Sequence, residues 1–250
     1  MFEPVTMVVV AVTFLAAGAV KGVIGLGLPT VSLGVLAVAI DLPTAMALLL
    51  APSFVTNAWQ GITGGRARGI LVRTWPFLLA AVITVPLGGL ALTRVDVAWL
   101  SALLGLLLIV YGSLGLGGLR LSIAERRDTW SGPLLGAANG VLTGMTGSFV
   151  VPGVMYLQAI GLPRDALVQA MGILFTASTV ALAVSLGGSR LLTTEQAMLS
   201  LAAVFPALVG MTLGRSIRES LSERLFRRVF FAALLALGCY IMWSAMARLT

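Results

Sequence analysis

Apolar runs alternate along the chain with short stretches of glycine, proline and arginine. Ten apolar segments can be drawn, over 5–20, 28–40, 43–60, 70–92, 97–117, 131–145, 148–160, 164–186, 195–213 and 225–247. All are read as helices, because an isolated strand in lipid leaves its backbone groups without partners. The fourth, fifth, eighth, ninth and tenth reach the length of roughly 20 residues that a full crossing needs. The second, sixth and seventh are too short. These short segments flank two glycine-rich interruptions, Gly18 to Thr30 and Gly136 to Pro152. The expected fold is all-α: a polytopic membrane protein of about 8–10 helical segments, with broken or re-entrant helices near the midplane.

The two interruptions belong to a wider repeat. Gly18-Ala19 aligns with Gly136-Ala137, and Lys21-Gly22-Val23 with Asn139-Gly140-Val141. Further on, Ile40-Asp41-Leu42-Pro43 aligns with Ile160-Gly161-Leu162-Pro163, Thr56 with Thr176, and Pro86 with Pro206. Each half holds five segments, an odd number, so the halves are expected to be inverted relative to one another. The reading is a first transmembrane repeat over 1–118, a cytoplasmic linker over 119–130 and a second, inverted repeat over 131–250.

Arginine placement supports this topology. If each broken pair contributes two crossings or none, one side carries Arg66, Arg68, Arg73, Arg120, Arg126, Arg127, Arg164, Arg215, Arg218, Arg224, Arg227 and Arg228. The other side carries Arg94, Arg190 and Arg248. A single crossing per broken pair removes the bias. The positive-inside tendency therefore selects the first arrangement and puts both termini on the periplasmic side. The stretch from Arg215 to Arg228 reads as a short amphipathic cytoplasmic connection near anionic lipid.

Composition agrees. The chain is 59% hydrophobic and 10% charged, with a mean hydropathy of +1.06. A soluble protein of this size cannot cover that much apolar surface. The net charge of +7 sits between apolar segments, so it marks topology and does not point to nucleic acid. Cys239, the one cysteine, cannot form an intramolecular disulfide and reads as a packing thiol. The N-terminus, Met1-Phe2-Glu3-Pro4, lacks a basic n-region, so the first segment is expected to be retained.

Catalysis finds little support. No histidine is present, the nine carboxylates lie mostly at segment ends, and Gly147-Ser148 lacks the context of a hydrolytic nucleophile. Neither a metal site nor a cofactor is expected. A small-anion site uses what is there. A broken helix leaves backbone N–H groups unpaired, and helix N-termini attract anions. Helices starting near Pro29 and Ser148 would aim theirs at the breaks. Lys21, the only lysine, adds a charge where charge is costly. The candidate binding residues are Lys21, Gly22, Gly25, Gly27 and Asn57, with Asn139, Gly140, Thr143, Thr146, Gly147 and Ser148 from the second break. Asp41 is the candidate for proton coupling.

Each has a plainer reading. Gly18, Gly22, Gly136, Gly140 and Gly144 form small-xxx-small patterns that allow close helix packing. Lys21 can snorkel to a headgroup region. Asn57 and Gln60 can mark an interfacial helix end beside Trp59. Asp41, Pro43 and Pro163 can simply shape loops and helix starts.

Gly22-Val-Ile-Gly-Leu-Gly-Leu-Pro29, followed by Leu42-Pro-Thr-Ala-Met-Ala47 and Asn57, resembles the first repeat of the sulfite exporter TauE/SafE family. Gly140 to Pro152, Leu162-Pro163 and the run to Thr176 resemble its second repeat. Leu26, Leu28 and Met145 stand where more glycine is common. The resemblance implies a multi-pass protein of the bacterial inner membrane that exports sulfite, an organosulfonate or a related small anion. Alternating access around the two breaks is the expected mechanism. An anion channel and a non-transporting scaffold or assembly protein are the alternatives. The expected partners are a small anionic substrate and the lipid bilayer, with homo-oligomerisation left open.

Overall fold

The computed structural model describes residues 2–118, 122–123, 125–218 and 222–249. These residues are mostly helical and contain no strand. The helices are α1 (Pro4–Ile24), α2 (Leu28–Ala39), α3 (Leu42–Leu48), α4 (Leu50–Ile62), α5 (Ala67–Gly89), α6 (Val97–Gly117), α7 (Glu125–Thr146), α8 (Gly153–Ala159), α9 (Arg164–Gly188), α10 (Thr194–Arg218) and α11 (Glu223–Ala247). A 3-10 turn, Leu90–Thr93, extends α5. Among the described residues six helices are long and apolar enough to cross a membrane: α1, α5 with its extension, α6, α9, α10 and α11. Phe205, Ile83 and Leu201 lie more than one turn inside their helices and are each more than half exposed. Lipid is the solvent such side chains suit, and the chain is a multi-pass membrane protein.

Several boundaries differ from expectation. The first segment runs on through Lys21 to Ile24, because a single charge in the last turn does not stop a helix and suits its negative end. The sixth segment begins at Glu125, since Glu-Arg-Arg-Asp is polar but permits a helix. The expected linker is therefore partly helix, and residues 119–121 and 124 lie outside the described residues. The seventh segment becomes helical only at Gly153, after a turn through Ser148–Pro152. The third segment divides at Leu49 into α3 and α4. The connection read over 215–228 is largely helix ends, as α10 runs to Arg218 and α11 starts at Glu223.

The chain forms two compact units, each drawn from both sequence halves: Met1–Pro52, Val95–Leu119 and Leu191–Thr250 in one, Ser53–Arg94 and Arg120–Arg190 in the other. In the first unit, α1 packs mainly on α10 and α6 on α11. Gly18 faces the Ala207 carbonyl and Gly22 the Met211 carbonyl, so α1 and α10 run parallel. Gly105 meets Gly238 and Met242 whereas Gly112 meets Leu235 and Phe231, so α6 and α11 run antiparallel. In the second unit, α5 packs mainly on α7 and next on α9. Gly140 faces the Ala81 carbonyl and Gly144 the Val85 carbonyl, again parallel. At these glycines an added Cβ would meet backbone of the facing helix, so helices touch with no side chain between them.

The two parallel pairs share one contact register. Gly18 on Ala207, Gly22 on Met211 and Gly214 on Ala19 in the first unit match Gly140 on Ala81, Gly144 on Val85 and Gly88 on Val141 in the second. In this register Lys21 corresponds to Thr143, one helical turn from the Asn139 that sequence alignment gave it. It also separates Pro86 from Pro206, which hold different places in the two pairs.

Candidate functional site

Both interruptions are built alike at their start. Gly25 ends α1 with φ 81°, and its N–H donates to the Lys21 carbonyl at 2.7 Å. Gly147 ends α7 with φ 73°, and its N–H donates to the Thr143 carbonyl at 2.7 Å. A left-handed residue at this place is the usual way to stop a helix, and glycine adopts it without a Cβ penalty. The first break follows α1, which is long and apolar enough to cross a membrane, whereas α7 has 22 residues but opens on the polar Glu-Arg-Arg-Asp and is not among those helices.

In the first unit, Lys21 is 3% exposed in the last turn of α1. The Arg215 backbone nitrogen lies 2.9 Å from where a Cβ on the adjacent Gly22 would stand, so the lysine lies near the end of α10 that carries Arg215 and Arg218. Gly27, with φ 108°, starts α2, whose second residue is Pro29 as expected. Gly22 is occupied with helix packing. Asp41 caps α3, its carboxylate accepting the Thr44 N–H at 2.8 Å, which is the loop-shaping reading.

In the second unit, the polar side chains of the break hold the break itself. Thr143 Oγ1 donates to the Ser148 carbonyl at 3.0 Å, and Thr146 Oγ1 donates to the Leu142 carbonyl at 2.7 Å while accepting the Ser148 N–H at 3.2 Å. Both threonine hydroxyl hydrogens are therefore committed. Ser148 lies in the turn and not at a helix start. Gly140 lies against Ala81 and Thr84 of α5. Asn139 is fully buried, and its Oδ1 accepts the Gly153 N–H at 2.9 Å, tying the first turn of α8 back to α7. Its Nδ2 has no hydrogen-bond partner among the described residues. Asn57 is also fully buried, whereas neighbouring Trp59 is exposed. Its carbonyl abuts Gly172 of α9.

The family model described as sulfite exporter TauE/SafE matches residues 10–241. The chain belongs to the sulfite exporter TauE/SafE family. The match takes in both breaks and ends within α11, and a TauE/SafE family member is a membrane exporter of sulfite or a similar anion. No curated protein and no solved structure matches the chain.

Sequence reading of this TauE/SafE chain missed two polar positions. Ser178 of α9 and Ser53 of α4 are fully buried, with hydroxyls that have no partner among the described residues. The available signal was Ser178-Thr179 in the middle of a long apolar segment. Polar residues at that depth call for an explanation.

Proposed function

We propose that this TauE/SafE protein exports a small oxyanion, such as sulfite or an organosulfonate, across the inner membrane by alternating access around its two helix breaks. The burial of Lys21 beside the Gly25 break carries this reading. A buried charged residue in a membrane protein is a candidate for substrate contact. The start of α2, whose first N–H groups have no intrahelical acceptor, adds positive potential beside it. That potential attracts an anion. We read the arginine-rich loops as cytoplasmic, the termini as periplasmic and the sequence halves as inverted repeats. The candidate substrate contacts are Lys21, Gly25 and Gly27 in the first unit, and Asn57, Asn139, Thr143, Thr146, Gly147 and Ser148 in the second.

Export suits a cell that is negative inside, since an anion leaving it gains about 2.3 kcal/mol per charge per 100 mV. The test is efflux of sulfite and of ethanesulfonate from proteoliposomes under an imposed potential, with Lys21→Met and Lys21→Arg beside the parent. Saturable, potential-accelerated efflux and counter-exchange are expected, reduced at least tenfold by Lys21→Met and less by Lys21→Arg. Unsaturable flux without counter-exchange would identify a channel. Flux indifferent to the potential and to Lys21→Met would overturn the proposal.

A further inference from the structure

The second unit contains hydrogen-bond donors that the fold does not use. The Gly153 N–H fixes the orientation of the Asn139 amide, because only Oδ1 can accept it. The two Nδ2 hydrogens therefore point elsewhere, buried and without a partner among the described residues. Gly153 also connects Asn139 to α9: a Cβ on Gly153 would lie 2.9 Å from Leu174 Cδ2. One turn further along that face of α9 is Ser178. A helical serine ordinarily returns its hydrogen to the carbonyl four residues back, as Thr179 does to Phe175 at 2.6 Å. Ser178 does not, and its hydroxyl is buried without a partner among the described residues. The nearby threonines offer no alternative donors, since Thr143 and Thr146 have committed their hydrogens to the break.

We propose that Asn139 Nδ2 and Ser178 Oγ form a hydrogen-bond-donating subsite for the oxygens of a fully deprotonated sulfonate or sulfite, selecting against oxyanions that carry a proton. The inference rests on the anion-export reading above. A buried donor left unpaired costs free energy, so the subsite favours a ligand whose oxygens all accept. At this subsite the Asn139 amide presents only the donor Nδ2, because Oδ1 is turned toward the Gly153 N–H. A ligand hydroxyl oxygen is a weaker acceptor for Nδ2 than a deprotonated oxygen, so the selection rests on Asn139, since Ser178 Oγ can accept as well as donate.

The experiment measures binding of ethanesulfonate and of sulfite to the purified protein, by thermal unfolding and calorimetry, through the pH range in which bisulfite loses its proton. Ethanesulfonate affinity is expected to stay level, while sulfite affinity falls as the pH is lowered. Ser178→Ala removes a hydroxyl that the ligand-free fold does not use. Its unfolding midpoint without ligand should be unchanged or higher, with the ethanesulfonate dissociation constant raised about tenfold. Asn139→Asp keeps the acceptor for Gly153 but replaces both donors, and should fold while losing ethanesulfonate binding. Parent protein that binds neither anion would overturn the export reading and this inference together. Binding equal in the parent and both variants, or sulfite affinity independent of pH, would overturn this inference alone.

Discussion

Thr84 of α5 donates its hydroxyl hydrogen to the Ala137 carbonyl of α7 at 2.9 Å, sharing it with the Ala80 carbonyl of its own helix. At the matching place in the other parallel pair, Gly210 of α10 meets the Leu15 carbonyl of α1 with bare backbone. One register is thus fastened in two ways: by a hydrogen bond in the second unit and by steric closeness in the first.

Gly210→Ala should therefore be costly. The new methyl group would collide with the Leu15 carbonyl, and backbone cannot move aside as a flexible side chain does. A loss of about 1–3 kcal/mol is expected, seen as a lower unfolding midpoint in detergent. Gly187→Ala is the control, because a Cβ there meets nothing within 4 Å. Removing a helical glycine should be neutral or add up to about 1 kcal/mol. Equal midpoints for the two variants would contradict the close approach of α1 and α10.

Asp41 separates a cap from a proton carrier. Its carboxylate accepts the Thr44 N–H, and an asparagine in its place can do the same. Asp41→Asn should retain both stability and the pH dependence of transport, while Asp41→Ala should lose about 1 kcal/mol. A pH profile that flattens in Asp41→Asn would restore Asp41 as a coupling group.

Much of the fold was legible because lipid demands long apolar helices, and hydropathy alone found every helix except the division at Leu49. That division was hidden because apolar residues flank it on both sides. The likeness of the two glycine-rich stretches was legible, but the contact register that α1–α10 and α5–α7 share was not. Gly18 and Gly22 find glycine partners at Gly136 and Gly140 as readily as at Gly140 and Gly144. The alignment can slip by one turn without losing a match, and only the contacts with α5 and α10 decide. The candidate site was legible as a set of polar residue types. Which hydrogens were already spent was not, because Thr143 and Asn139 are bonded to backbone of the turn at Ser148 and Gly153.

Gln169 of α9 gives a third test. Buried at 1% exposure, it donates through Nε2 to the Gly61 carbonyl at 2.9 Å and accepts the Arg66 N–H on Oε1 at 3.0 Å. It thereby ties the α4–α5 turn to α9. Gln169→Leu would strip both backbone groups of that partner, at about 1–3 kcal/mol for each one left buried. Gln169→Glu keeps the acceptor for Arg66 but turns an oxygen toward the Gly61 carbonyl. Both variants should unfold at lower temperature than the parent. An unchanged midpoint in Gln169→Leu would mean that water replaces the amide at little cost.

Ser200 of α10 performs the corresponding service where α3 gives way to α4. Its hydroxyl donates to the Leu48 carbonyl at 2.8 Å and accepts the Ala51 N–H at 3.0 Å, completing two backbone groups on either side of Leu49. A helix interruption buried inside a membrane protein, as at Leu48 and Leu49, has no bulk water to complete such groups, so the partner must come from the protein. Ser200→Ala is therefore expected to destabilise by about 1–3 kcal/mol. It should also speed amide hydrogen exchange at Ala51 more than at residues deep in α10. Threonine keeps the hydroxyl, so Ser200→Thr should hold exchange at Ala51 near the parent rate. Faster exchange spread evenly over α10 would point to general loosening of that helix and remove Ser200 from this role.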